Sequence, residues 1–192
     1  MTASLPKPDR TIVLIGMMGA GKTCIGRKMA ERLGLPFVDA DQEIAEAAGC
    51  AIPDIFAPHG EAAFREGEHR VITRLLDKPV HILATGGGAF MNEQTREKIR
   101  EKGISIWLRA DIDLLLRRVS RRNNRPLLRQ GDPREVLEKL MAEREPIYAQ
   151  ADIIVDSVDG PRDAMVNKVM EALADYLAGR KRAGTEMRSA AK

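Results

Sequence analysis

The chain has 192 residues, enough for one domain with a buried core, and its 44% hydrophobic and 31% charged content is typical of a soluble protein. The net charge is only +3, and aromatic residues make up 4% of the chain. The sequence has no stripe of basic and aromatic residues suited to stacking bases, so we expect no nucleic-acid partner. No apolar run approaches the roughly 18 residues of a membrane span, and residues 1–10 lack an apolar signal core, so we expect a cytoplasmic protein with no membrane partner.

The chain begins with a strand, a glycine loop and a helix. Residues 1–10 predict a flexible leader, Thr11 to Ile15 predict the first strand, and Lys22 to Leu33 predict the first helix. Residues 16–23 between them read Gly-Met-Met-Gly-Ala-Gly-Lys-Thr, which has the spacing G-x-x-x-x-G-K-T. In such a loop, backbone N–H groups and the N-terminus of the helix hold phosphate oxygens. The alternative is a chance glycine turn.

This loop supplies groups for a nucleoside triphosphate and a metal ion. Lys22 can reach the β- and γ-phosphates, and the Thr23 hydroxyl can ligate Mg²⁺. The two cysteines, Cys24 and Cys50, have neither metal nor redox spacing, so we expect reduced thiols. The loop therefore predicts ATP as a substrate.

A predicted second strand, Pro36 to Val38, is followed by two carboxylates. Beside a phosphate loop, Asp39 can serve a metal ion, and Asp41 can orient an acceptor hydroxyl and take its proton. A helix is predicted from Gln42 to Ala48, so the alternative is that either aspartate only caps that helix.

Another predicted helix, Glu61 to Leu76, follows a helical turn at Pro53 to Phe56. Arg65 lies on its inward face together with Glu68. A guanidinium on such a face needs an anionic partner. That partner is either Glu68 or a substrate carboxylate held by two parallel hydrogen bonds.

The alternation of strands and helices continues to residue 177. The third strand, Val80 to Ala84, runs into Gly86, Gly87 and Gly88, which permit close approach of a ligand to the backbone. The remaining predicted elements are a helix capped by Asn92 that ends at Lys102, a strand from Ile104 to Leu108, a helix capped by Asp111, a helix from Pro133 to Tyr148, a strand from Ile153 to Val155 and a helix from Ala164 to Leu177. We expect a disordered tail over residues 179–192.

Two arginines in the second half of the chain stand out. Arg144 falls on the apolar face of its helix, which Leu137 marks and Tyr148 continues, so it predicts a bound anion; the alternative is an arginine that reaches solvent or pairs with a nearby acid. Arg125 lies in an arginine-rich stretch, about residues 120–132, that predicts a lid over ATP. The alternative for that stretch is a solvated basic loop.

Short apolar strands alternating with helices predict an α/β protein with a parallel sheet covered on both faces. The domain spans residues 11–178, and ligands bind beyond the carboxyl ends of its strands. We expect residues 41–76 to hold the acceptor and residues 120–132 to form the mobile lid.

Several stretches, in their joint order and spacing, resemble shikimate kinase over about residues 10–178. They are Gly16–Thr23, Phe37–Asp41, Gly60–Arg65, Gly86–Gly88, Arg125–Leu128 and Arg144–Tyr148. The resemblance implies the three-layer P-loop kinase fold, which is nucleoside-monophosphate-kinase-like, with a five-stranded parallel sheet in the order 2-3-1-4-5. It also implies that ATP, with Mg²⁺, phosphorylates the 3-hydroxyl of shikimate, giving shikimate 3-phosphate and ADP on the route to chorismate and the aromatic amino acids.

The resemblance further implies a role for each matching residue. The catalytic residues would be Lys22, Asp41 and Arg125. The phosphates of ATP would be held by Gly19, Ala20, Gly21, Lys22, Thr23, Cys24 and Arg125. Mg²⁺ would be held by Thr23 and, through water, Asp39. Shikimate would be bound by Asp41, Arg65, Gly86, Gly87, Gly88 and Arg144, with the two arginines on its carboxylate.

Some questions stay open in the sequence. The family often has Gly-Lys-Ser-Thr where this chain has Gly-Lys-Thr-Cys, but Thr23 supplies the same oxygen. An adenine contact falls to Arg118, Arg121 or Arg122. Rival interpretations are another small-molecule kinase, such as a gluconate kinase, and a nucleotide-binding regulatory module without an acceptor. We expect a monomer.

Overall fold

A computed structural model describes residues 7–120 and 132–190, without the side chains of residues 56–59 and 180–190. In this part of the chain, five strands form one parallel sheet in the order β2-β3-β1-β4-β5, which confirms the predicted order. The strands are β1 (Thr11–Ile15), β2 (Phe37–Asp39), β3 (Ile82–Ala84), β4 (Gly103–Arg109) and β5 (Ile153–Asp156). The helices are α1 (Lys22–Leu33), α2 (Ala40–Ala48), α3 (Ile52–Leu76), α4 (Glu93–Lys102), α5 (Ile112–Ser120), α6 (Pro133–Tyr148) and α7 (Arg162–Ala190).

Strand β1 is the centre of the core. All five of its residues are buried, and it pairs with β3 on one side and β4 on the other. A strand covered on both faces is a continuous apolar run, which is why it was visible in the sequence. Because β1 is central, the glycine loop that follows Ile15 lies in the middle of the edge where the strands end.

Most helix boundaries agree with those predicted from local sequence features. Helices α1 and α6 have the predicted bounds. Asn92 and Asp111 each accept a hydrogen bond from a backbone N–H at the start of the following helix, as predicted. Among the described helices, none has the length and apolar character that crossing a membrane requires.

One of the remaining helices agrees with the prediction and one differs from it. Helix α3, Ile52–Leu76, consists of two helical segments on either side of a kink at Gly60, whose φ of 74° and ψ of 176° are not helical and are open to glycine without strain. This kink agrees with the predicted helical turn before Gly60 and helix after it. Helix α7 continues through Ala190, past its predicted end at Leu177, so residues 179–190 of the expected disordered tail are helical. That stretch contains alanine, lysine, arginine, glutamate and methionine, which all favour a helix. Residues 191–192 lie outside the described residues.

Part of the prediction lies outside the described residues. This holds for residues 1–6 of the leader and for residues 121–131, which include Arg125 and nearly all of the predicted lid. Ser120 ends α5, and Asp132 caps α6 by accepting a hydrogen bond from the N–H of Arg134.

Two helical glycines allow a matched test of the packing. A Cβ on Gly26 in α1 would lie 2.6 Å from the Phe37 ring, whereas a Cβ on Gly67 in α3 would meet nothing within 4 Å. We expect Gly26→Ala to destabilise the chain by about 1–3 kcal/mol through overpacking, and Gly67→Ala to stabilise it by about 0.4–1 kcal/mol. Urea unfolding of both variants measures the difference, and equal effects would contradict the packing of α1 on β2.

Candidate active site

The glycine loop after β1 has a backbone that only glycine permits at its first position. Gly16 has a φ of 137°, and a Cβ there would lie 2.8 Å from the carbonyl oxygen of Leu108. At the other end, Gly21 is the N-cap of α1 and carries no side chain that could cap the helix. The N-terminus of α1 therefore faces the loop with its positive end, as phosphate binding requires.

The amine of Lys22 lies along this loop. Its Nζ donates hydrogen bonds to the carbonyl oxygens of Gly16, at 2.8 Å, and Met17, at 3.0 Å. These bonds hold a positive charge against the first residues of the loop, and in loops of this pattern the lysine reaches phosphate oxygens.

Asp39 joins the glycine loop to the second strand. Its Oδ2 accepts a hydrogen bond from the Thr23 hydroxyl at 3.0 Å, and its Oδ1 accepts one from the N–H of Asp41 at 3.1 Å. Asp39 is thus the N-cap of α2, as the alternative interpretation held, and it is also the partner of Thr23. A hydroxyl and a carboxylate side by side are oxygen ligands of the kind Mg²⁺ prefers, with nucleotide phosphates and water completing its shell. The described residues contain no cluster of three or more His, Cys, Asp or Glu side chains suited to a metal ion.

The glycine turn after β3 makes room for charged side chains. A Cβ on Gly86 would lie 2.8 Å from Oδ1 of Asp41 and 3.0 Å from Oε1 of Glu68, and a Cβ on Gly88 would overlap the guanidinium of Arg65. Larger residues would displace these groups. The turn therefore brings together a carboxylate from the first turn of α2 and a guanidinium from α3.

Arg144 reaches the same turn from α6. A Cβ on Gly87 would lie 3.1 Å from its Nη1. The hydroxyl of Tyr148, at the end of α6, donates a hydrogen bond to the carbonyl oxygen of Gly87. The two predicted arginines therefore lie on the same glycine turn, although they are far apart in the sequence.

Arg65 has an internal partner as well. Its Nη1 donates to Oε2 of Glu68 at 2.6 Å, and its Nη2 lies 3.3 Å from Oε1 of Glu61. Burial opposes the charge of Arg65, but attraction to the two glutamates is stronger, so the pKa of Arg65 is raised. The alternative of an internal ion pair is confirmed, and the guanidinium also lies against Gly88.

Glu68 is a member of the site that the sequence prediction treated only as a partner of Arg65. Its side chain is 2% exposed. Burial raises the pKa of Glu68, Arg65 opposes this shift, and the nearby charge of Asp41 adds to it. Helical spacing indicated that Glu68 shared a face with Arg65, but not that this face was buried beside Asp41.

Arg118, on α5, contacts the backbone of the phosphate loop. Its Nη1 donates to the carbonyl oxygens of Gly19, at 3.5 Å, and Ala20, at 3.4 Å, and to the Ser157 hydroxyl at 3.2 Å. Arg118 thus joins the loop to the segment after β5. Of the adenine candidates, Arg121 and Arg122 lie outside the described residues.

The carboxyl ends of β1, β2 and β3 thus converge as expected. They carry a phosphate loop, a hydroxyl–carboxylate pair beside it, and a glycine turn ringed by Asp41, Arg65 and Arg144. A parallel sheet in this order with such a loop after its central strand defines the chain as an ATP-dependent P-loop kinase.

The chain is similar in sequence and fold to shikimate kinases. A family model described as shikimate kinase matches residues 18–174, and the chain belongs to this family. A shikimate kinase of Paramagnetospirillum magneticum is 61% identical over 168 residues, which cover 88% of this chain and 86% of the relative. The solved structure of shikimate kinase from Acinetobacter baumannii in complex with shikimate has a TM-score of 0.82 and 37% identity, covering 86% of this chain and 93% of the other.

The fold is shared more widely than the activity. A gluconokinase from Sinorhizobium meliloti 1021 has a TM-score of 0.67 at 18% identity, covering 93% of this chain and 99% of the other. At this identity the likeness shows the fold alone. The acceptor must therefore be argued from the side chains around the glycine turn.

Glu68 gives the site a characteristic dependence of stability on pH. Because folding raises the pKa of Glu68, its contribution to stability is present below the ordinary carboxyl pKa and is lost as the pH rises through the raised value. We expect Glu68→Gln to gain stability relative to the unaltered chain as the pH rises from about 4 to 7. Urea unfolding at several pH values measures this.

The matched control for this prediction is Glu61→Gln. Glu61 also lies beside Arg65, but its side chain is 70% exposed. Its stability difference from the unaltered chain should vary much less over the same pH range. A Glu68→Gln difference that is independent of pH would contradict the burial of this carboxyl group.

Proposed function

We propose that the chain transfers the γ-phosphate of ATP to the 3-hydroxyl of shikimate, giving shikimate 3-phosphate and ADP in the synthesis of chorismate and the aromatic amino acids. The observation that carries this proposal is the meeting of Asp41, Arg65 and Arg144 at one glycine turn beside the phosphate loop. Shikimate is a polyol with one carboxylate. The two guanidiniums suit the carboxylate, and Asp41 suits a hydroxyl group.

On the nucleotide side, the phosphates of ATP lie in the loop formed by Gly19, Ala20, Gly21, Lys22, Thr23 and Cys24. Thr23 and, through water, Asp39 would hold Mg²⁺, which would neutralise charge on the phosphates. We assign the adenine side to Arg118, because it already spans the phosphate loop and Ser157. The role of Arg125 at the transferring phosphate stays a prediction.

On the acceptor side, Arg65 and Arg144 hold the carboxylate of shikimate, and the turn from Gly86 to Gly88 lies against its ring. Asp41 accepts the proton of the 3-hydroxyl as that oxygen bonds to the γ-phosphorus. The bond from phosphorus to the β,γ-bridging oxygen breaks, and ADP leaves with its electron pair. The transfer is direct, and the residues act mainly by positioning and by charge.

The decisive experiment measures ADP release from Mg²⁺–ATP with shikimate, with gluconate and without an acceptor. We expect strong stimulation by shikimate alone, and loss of most turnover in Lys22→Ala and Asp41→Asn. Stimulation by gluconate instead would favour the rival kinase. ATP binding with no acceptor dependence would favour a regulatory module and overturn the proposal.

We also propose a cytoplasmic monomer that binds neither nucleic acid nor membrane. Cys24 and Cys50 are free thiols, as suits a reducing compartment. Among the described residues, the exposed large hydrophobic side chains are those of Ile154 and Val158, a small surface for a second copy. Analytical ultracentrifugation would test the monomer.

A side chain at position 88 should weaken binding of the acceptor, because Arg65 occupies the space beside Gly88. In Gly88→Ala the new methyl group would displace the Arg65 guanidinium, which can move because it ends a flexible side chain. The backbone of Gly88 has a φ of −95°, which alanine tolerates. We expect the KM for shikimate to rise at least tenfold, on the order of one lost charge-assisted hydrogen bond, and the KM for ATP to stay the same.

The control for Gly88→Ala is Gly179→Ala in α7, where a Cβ would meet nothing within 4 Å. This variant should keep both KM values. Steady-state kinetics and thermal unfolding of the two variants separate a local effect on substrate from a loss of fold. An unchanged KM for shikimate in Gly88→Ala would remove Arg65 from the binding site.

A further inference from the structure

Tyr148 is a buried polar group that the roles assigned above do not use. It ends α6, its side chain is fully buried, and its hydroxyl donates a hydrogen bond to the carbonyl oxygen of Gly87. Its ring contacts Trp107 of β4, with centroids 5.7 Å apart. In the sequence it only continued an apolar face, which predicts the burial of the ring but no purpose for the hydroxyl.

The guanidinium of Arg144 lies close enough to the hydroxyl of Tyr148 to interact with it. A phenol has one proton to donate and lone pairs with which to accept. Since the proton goes to Gly87, the lone pairs of the oxygen are left to face the positive charge of Arg144. Burial raises the pKa of Tyr148, against the effect of Arg144, so the phenol keeps this proton at neutral pH.

The contacts form a closed triangle. Arg144 and Tyr148 are four residues apart on α6 and therefore lie on one face of the helix. A Cβ on Gly87 would lie 3.1 Å from Nη1 of Arg144, so the Arg144 guanidinium also lies close to the backbone of Gly87. One hydroxyl group thus contacts the glycine turn at the residue that the Arg144 guanidinium approaches.

The last turn of α6 contains a proline, and its geometry therefore depends on tertiary contacts such as that of Tyr148. Pro146 lies within the same turn of the helix as Arg144 and Tyr148. A proline has no N–H, so this turn lacks one backbone hydrogen bond that would stiffen it. Tertiary contacts of Tyr148 therefore fix the last turn of α6, and with it the direction of Arg144.

We propose that Tyr148 is a positioning residue for the acceptor: its hydroxyl holds the Arg144 guanidinium and the Gly87 turn in the geometry that grips the substrate carboxylate. The proposal rests on the proposed function, which assigns that carboxylate to Arg65 and Arg144. Tyr148 does not touch the substrate. Its effect reaches the substrate through Arg144 and the backbone of Gly87.

The test compares Tyr148→Phe with Tyr176→Phe. Phenylalanine keeps the ring against Trp107 and removes only the hydroxyl. The chain has two tyrosines, and Tyr176 is the matched control because its hydroxyl donates to Oδ1 of Asp152 at 3.0 Å, away from the glycine turn. We expect Tyr148→Phe to raise the KM for shikimate roughly tenfold, as for the loss of the hydrogen bond to Gly87 together with the interaction with Arg144, and the KM for ATP to stay within about twofold. Tyr176→Phe should keep both KM values.

A second arm tests whether the effect passes through Arg144. Arg144→Lys keeps the charge but loses the planar fork, and it should raise the KM for shikimate by itself. On that background, adding Tyr148→Phe should change the KM by less than about twofold, because interacting residues are not additive. Thermal unfolding and the near-ultraviolet circular dichroism of Trp107 monitor the fold in every variant.

Several outcomes would overturn the proposal. They are an unchanged KM for shikimate in Tyr148→Phe, an equal rise in the KM for ATP, and a full tenfold effect on the Arg144→Lys background. A Tyr148→Phe chain that does not fold would also overturn it, since the hydroxyl would then serve the fold rather than the acceptor. If the unaltered chain shows no stimulation by shikimate, the proposed function fails instead, and the two failures are distinguishable.

Discussion

The close approach of charged side chains to a bare backbone is the constraint on which this site depends. Asp41, Arg65 and Arg144 come from α2, α3 and α6, and they reach one point because residues 86–88 have no side chains to occupy it. The central position of β1 then places the phosphate loop beside that point, since parallel strands end at one edge of the sheet. A phosphate donor and a carboxylated acceptor are thereby brought to neighbouring positions.

The acceptor side concentrates charge that is costly to bury. Glu68 is held as a partner of Arg65 although burial favours its protonated form and raises its pKa. A buried ion pair is weak evidence for stability, because desolvation offsets most of the attraction. Its value here lies in direction, because Glu68 holds the guanidinium of Arg65 by a hydrogen bond. In the role proposed for Tyr148, a neutral hydroxyl orients Arg144, so the two arginines would be oriented by different chemistry before the substrate binds.

On the nucleotide side, the contacts of Asp39 are compatible with both interpretations of this residue. Asp39 caps α2 with one carboxylate oxygen and accepts the Thr23 hydroxyl with the other. Capping and metal binding appeared as alternatives in the sequence, because each requires a carboxylate at the start of a helix. They are compatible, since the oxygen that faces Thr23 is not the one that caps the helix.

The sequence by itself determined the strand order, through the family pattern, and most helix boundaries, because caps, proline and glycine stops, and apolar periodicity are local. It also indicated the phosphate loop and the inward faces of Arg65 and Arg144. It did not determine that Glu68 is buried beside Asp41, or that the Tyr148 hydroxyl donates to the carbonyl oxygen of Gly87, which Arg144 also approaches. Only the tertiary structure decided these points, because each is a distance between groups on separate elements, or the burial of a face by another element, and neither is encoded in local spacing.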